Sequence, residues 1–184
     1  QGTVTAATAN VLNDILLVNV ADAGALALNA NQTIQTLTGS GLLSLGSNNL
    51  TLATGGHFTG QITGTGQVLL ASGQFTLTSS GTSQSNLFTV NPQSTLTVGQ
   101  TSTVNATTVN VNSASINLNG RINATTVNLG SGSTVQLGNG LGIKESGAVT
   151  GTIASTNTFV NGGTVLQGNG SVSGLTTVGG SSAG

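Results

Sequence analysis

Along most of the chain Val, Leu or Ile alternates with Thr, Ser or Asn over short runs, as in Thr95-Leu96-Thr97-Val98 and Ser115-Ile116-Asn117-Leu118. A period of two sends one set of side chains to a buried face and the other to solvent, so these runs predict half-buried β-strands. Val18 to Ala30 alternates in the same way and contains Asp22, so it reads as strands. No apolar run has the length needed to span a bilayer. No segment carries a long helical apolar face, although Ala6 to Leu17 has room for one short helix or cap. Gly, Asn or Ser punctuates the runs, and Asn91-Pro92 marks a further turn.

The runs recur. Leu37-Thr38-Gly39-Ser40-Gly41-Leu42-Leu43-Ser44-Leu45 overlays Ile62-Thr63-Gly64-Thr65-Gly66-Gln67-Val68-Leu69-Leu70 at an offset of twenty-five residues, and Leu50-Thr51-Leu52 overlays Phe75-Thr76-Leu77 at the same offset. Further along, Asn105-Ala106-Thr107-Thr108-Val109-Asn110 returns as Asn123-Ala124-Thr125-Thr126-Val127-Asn128 eighteen residues later, and Ile116-Asn117-Leu118 is echoed by Val135-Gln136-Leu137 after nineteen. A unit that includes strands and the turns between them is a whole coil of chain, which predicts an all-β, single-stranded parallel β-helix with coils of about 18–25 residues. The difference in length is placed in turns such as Thr54-Gly55-Gly56-His57.

Three short strands per coil, stacked about 4.8 Å apart, give on the order of seven to ten coils and a rod of about 35–50 Å. The whole of 1–184 reads as one solenoid domain, with 1–24 as an N-terminal cap or assembly edge and 174–184 as a C-terminal edge or tail. Gly-x-Gly-x-apolar occurs at Gly39 and Gly41, Gly64 and Gly66, and Gly168 and Gly170, and these glycines are expected to make the bends. Asn105, Asn110, Asn123 and Asn128 are candidates for amide ladders between coils.

Composition narrows the function. With 36% hydrophobic residues and a net charge of −1, the chain lacks the low hydrophobicity or high charge that disorder needs. There is no electrostatic footprint for nucleic acid or an anionic membrane. The absence of Cys excludes a disulfide framework and a thiolate metal site. The absence of Met implies a processed product or an excised piece.

Candidate chemistry is sparse. Asp14 and Asp22 lie near one end and Glu145 far along the chain, so no carboxylate pair suited to acid/base work is evident. His57, without nearby Cys, Asp or Glu, reads as a turn residue at a coil corner. Arg121 and the Lys144-Glu145 pair read as solvated loop. No Gly-x-Ser-x-Gly elbow is present, and the Gly-x-Gly runs lack the Lys and helix of a phosphate loop. The expectation is a protein that is not an enzyme and has no cofactor or metal.

The order Thr33-Ile34-Gln35-Thr36-Leu37-Thr38-Gly39-Ser40-Gly41, Ser47-Asn48-Asn49-Leu50-Thr51-Leu52, Phe58-Thr59-Gly60-Gln61-Ile62-Thr63-Gly64-Thr65-Gly66 resembles the autotransporter-associated β-strand repeat of bacterial passenger domains. Asn161 to Leu175 is similar to that family's closing segments, and Val104 to Leu137 looks like the shorter coils of filamentous-haemagglutinin exoproteins. The resemblance implies a right-handed parallel β-helix outside the cell or at the bacterial surface. With so few charges to protect its two open ends, the chain is expected to self-associate end to end or by strand addition, as a structural or adhesive fibre subunit. The alternative is a passenger-domain fragment of an autotransporter adhesin that binds host cells or glycans. A third reading is ice binding through Thr3-Val4-Thr5, Thr36-Leu37-Thr38, Thr76-Leu77-Thr78 and Thr95-Leu96-Thr97.

Overall fold

The computed structural model describes residues 2–13, 15–79, 81–139 and 150–179. Among these residues there are nineteen strands and no helix. Every strand pairing is parallel, and the strands stack as a β-solenoid of about nine turns. Eight steps of about 4.8 Å make a rod of roughly 40 Å.

Each coil visits three faces in a fixed order. The first face climbs through Thr3–Ala6, Ala25–Leu28, Leu42–Gly46, Gln61–Gly64 and Thr82–Gln84, then through the leading halves of Thr103–Val111, Arg121–Leu129, Thr152–Val160 and Ser171–Val178. The second face takes the leading halves of Gln32–Gly39 and Leu50–Phe58, then Gln67–Leu70 and Leu87–Val90, then the trailing halves of those last four long strands. The third face runs from Leu17–Val20 through the trailing halves of Gln32–Gly39 and Leu50–Phe58 to Gln74–Leu77, Thr95–Val98, Ser115–Leu118, Thr134–Leu137 and Val165–Gly168.

The register corrects the longer repeat. Leu26 pairs with Leu43, Leu43 with Ile62, and Asn105 with Asn123, so a coil here holds seventeen to twenty-two residues. Arg121 pairs with Thr152 across a longer coil, which contains residues 140–149 outside the described set. The offset of twenty-five is one coil plus one face: Leu37 lies against Gly56, not Ile62. Gly39 and Gly41 turn the chain from third face to first, whereas Gly64 and Gly66 turn it from first to second. The two segments match because both are strand, Gly-x-Gly bend, strand.

Three further expectations change. The described residues of Ala6 to Leu17 form no helix; residues 9–13 are turns, and Asn10 at φ 56° is incompatible with a continuing helix. This segment instead covers the second face at the lowest level, where the buried Gln32 side chain donates to Thr8 O at 2.6 Å and accepts from Leu12 N at 3.3 Å. His57 is not at a corner but in the third-face half of the strand Leu50–Phe58, whereas Thr54-Gly55 lies where that strand bends from second face to third and takes up a one-residue shift in register. Arg121 likewise opens a strand and is no loop residue.

Alternation is what makes the core. On the second face Ile34, Leu52, Leu70, Val90, Val111, Leu129 and Val160 succeed one another in register, all buried. Each such side chain contributes about 1.5–3 kcal/mol through removal from water. Phe58, Phe75 and Phe88 occupy three successive levels and are fully buried. Where Phe88 enters, the first-face column carries Ser83 in place of an aliphatic residue, and Ile62, Val68, Ser83, Ser85 and Phe88 surround a void with no space for water. At the same level the first-face ladder breaks, and Ile62 N–H donates to Ser83 Oγ at 3.4 Å.

One corner is almost entirely glycine. The position immediately before each first-face strand is Gly2, Gly24, Gly41, Gly60, Gly81, Ser102, Gly120, Gly151 and Gly170 in ascending order. A Cβ at Gly60 would overlap the Gly41 carbonyl oxygen, one at Gly120 the Ser102 oxygen, and one at Gly170 the Gly151 oxygen. Gly60→Val is therefore expected to lower unfolding free energy by about 3 kcal/mol, measured by urea denaturation; an unchanged midpoint would contradict this close approach.

Candidate functional site: open ends and outward faces

The alternation that fills the core leaves outward columns almost free of charge. On the third face, in ascending order, one column reads Asn19, Thr38, His57, Thr76, Thr97, Asn117, Gln136 and Gln167. His57 Nε2 lies 2.9 Å from Thr78 Oγ1. Arg121 projects from the first face between Thr103 and Thr152, and Asp22 accepts from the Ala23 amide in the turn after Leu17–Val20. These three side chains belong to different levels of the stack. Asp14, Lys144 and Glu145 lie outside the described residues. Among the described residues no three His, Cys, Asp or Glu side chains gather into a metal-holding group.

The asparagines meet in pairs. Asn123 Nδ2 donates to Asn105 Oδ1 at 3.1 Å on the first face, and Asn128 Nδ2 donates to Asn110 Oδ1 at 2.8 Å on the second. Each ladder is a single rung, because the next level brings Ala154 and Phe159 to those positions and the level below brings Gln84 and Thr89. At all six sequence-selected glycines a Cβ would strike a carbonyl oxygen of the level below, and Gly39, Gly64 and Gly168 in addition take φ of 110°, 134° and 114°. Gly24, Gly60, Gly81, Gly120 and Gly151 lack the Gly-x-Gly signature, and the aliphatic residue two positions after four of them also follows Gly66 and Gly163 at other corners, so it is the register that reveals this one.

Of the Thr-x-Thr triplets, Thr3-Val4-Thr5 is on the first face. Thr36, Thr38, Thr76, Thr95 and Thr97 share the third, with Gly55, His57 and Gln74 interrupting them. Shallow polar grooves follow the corners. One of about 740 Å³ runs beside Gly24, Gly41, Gly60 and Gly81.

The most distinctive surfaces are the two ends. At the lower end Val4 is 66% and Leu16 80% exposed, with Val11, Ile15 and Leu17 also exposed. Val4, Leu12, Ile15, Leu17 and Val18 border an apolar cavity of about 320 Å³. At the upper end Val165, Leu175 and Val178 are exposed, the last at 71%. Val4 and Val178 stand in the inward columns, so their exposure reflects the end of the stack and not an outward orientation. Among the described residues no helix is long and apolar enough to cross a membrane. No protein family, curated protein or solved structure matches the chain.

One buried group is out of keeping with the polar order elsewhere. Ser94 Oγ is buried without a partner, whereas Ser133, two levels higher at the same corner, donates to Val111 O at 3.0 Å. The intervening level has Ala114 there. Ser94→Ala should raise unfolding free energy by about 1 kcal/mol and Ser133→Ala lower it by a similar amount; equal effects in thermal and urea unfolding would refute the distinction.

Proposed function

We propose that this chain is a non-catalytic structural or adhesive subunit whose solenoid self-associates into a fibre at the bacterial surface or in an extracellular matrix. The observation that carries the reading is the pair of outermost levels of the described residues, each presenting a parallel strand edge beside an exposed core-column aliphatic, Val4 below and Val178 above. Natural proteins cover, charge or shorten such edges. Here Thr3–Ala6 and Leu17–Val20 carry no charged residue, and neither do Val165–Gly168 and Ser171–Val178. A net charge of −1 adds little repulsion between copies.

The likeness of Thr33 to Gly66 to autotransporter passenger repeats supports the extracellular, bacterial setting. It also supports the second reading, an adhesin passenger fragment that meets host cells or glycans, for which the polar corner groove offers a surface. The interrupted threonines make ice binding the weakest of the three readings. Sedimentation velocity and negative-stain microscopy over rising concentration decide the first. Filaments one rod wide and many times the roughly 40 Å subunit length are expected; a monodisperse monomer throughout would overturn self-association.

A further inference from the structure

We propose that the rod is hinged at one internal level: its first face parts reversibly between Gln61–Gly64 and Thr82–Gln84 while the second and third faces stay closed, so that the rod bends away from the first face. The motion needs no partner and takes place within a single copy. Steps up the first face share one hydrogen bond, from the first amide of a strand to the carbonyl of the corner residue one level below. Gln61 donates to Gly41 O at 3.2 Å and Thr103 to Gly81 O at 3.3 Å, and seven of the eight steps among the described residues keep this bond. The step from Gly60 to Thr82, between those two, lacks it and lacks strand pairing as well.

The bonds of Thr82–Gln84 and of the corner before it run upward. The strand pairs with Thr103 to Asn105, and the Ser102 and Thr101 hydroxyls donate to Ser79 O at 2.9 and 3.3 Å. Downward, Ile62 N–H reaches the Ser83 hydroxyl at 3.4 Å, long for a bond of this kind. The other two faces run unbroken past this level. Leu50–Phe58, Gln67–Leu70 and Leu87–Val90 pair in turn on the second, and Leu50–Phe58, Gln74–Leu77 and Thr95–Val98 on the third. With two ladders closed and one open, the first face gapes about the opposite corner, where the second and third faces meet.

The interior favours opening here and nowhere else along the first face. The inward first-face column is aliphatic from Val4 to Val172 except at Ser83. Ser79, Ser83, Ser85, Ser94 and Ser102 make up five of the eight buried polar residues among those described, and they fall within little more than one coil. Parting two aliphatic levels wets hydrocarbon, whereas parting this one wets hydroxyls that water solvates well. The dry void beside Ser83 and Phe88 means that fewer packing contacts are lost. Outside, Gly60, Gln61, Ser79 and Gly81 border the polar groove, so solvent has direct access to the edge that opens.

Native-state hydrogen exchange of the full chain, resolved by NMR, tests this. The Ile62 amide is expected to exchange at least tenfold faster than those of Gln61 and Thr103 at the flanking steps. Ser83→Val, which restores the aliphatic column, is expected to slow Ile62 more than tenfold. Ser94→Ala acts on global stability from the opposite corner and should leave the Ile62 rate unchanged. If Ile62 exchanges as slowly as Gln61 and Thr103, or slows in step with them in Ser94→Ala, the first face opens only with the whole molecule and the hinge is wrong. A second variant needs no repacking of the core. The chain has no cysteine of its own, and Gln61→Cys with Thr82→Cys sets two outward thiols on adjacent levels, at a Cα spacing of about 5 Å that a disulfide accepts. Oxidation is expected to bring Ile62 to the exchange rate of its neighbours and reduction to reverse this; equal rates in the two states would overturn the proposal.

Discussion

Everything in this molecule depends on successive coils approaching to the separation of paired strands. At that spacing the backbone of one level satisfies the backbone of the next, and there is no room between levels for a side chain directed along the axis. The corner before each first-face strand shows the constraint most plainly. Eight of its nine residues are glycine, and the exception, Ser102, folds its hydroxyl back onto Leu77 O and Ser79 O at 3.1 and 2.9 Å. A larger residue there would force neighbouring coils apart and break the hydrogen bonds that flank it.

The same spacing explains what fills the interior. A column places similar environments one above another, so Val, Leu and Ile exchange along it with little effect on shape. Phe88 enters the core where Ser83 replaces an aliphatic residue, and the local cost is an interrupted first-face ladder that a serine hydroxyl partly repairs. Outward positions are freed from packing and carry Thr, Ser, Asn and Gln, which hydrogen-bond to neighbouring levels or to water without bringing charge close to charge.

A stack that gains stability from each added level has no internal reason to stop. Ends therefore carry the functional interest in a solenoid whose faces hold scattered single charges. Among the described residues the lower end is covered on one face by the turn at residues 9–13, held by the Gln32 side chain, and not beneath Thr3–Ala6 or Leu17–Val20.

The sequence by itself determined the architecture, because a two-residue apolar period interrupted by glycine bends has few solutions and the eighteen- and nineteen-residue repeats of Asn105 to Leu137 are true coil lengths. It also singled out the asparagines that meet across levels and glycines at two of the three corners. Only the tertiary structure decided which face each strand joins. An offset of one coil plus one face looks like a coil in sequence, since both corners use Gly-x-Gly, and the register is set by long-range pairing that local pattern does not encode. The glycine corner and the strand setting of His57 and Arg121 were hidden for the same reason: crowding by a residue about twenty positions away, and the continuation of a strand through a glycine pair, are properties of the stacked coil and not of its neighbours in sequence.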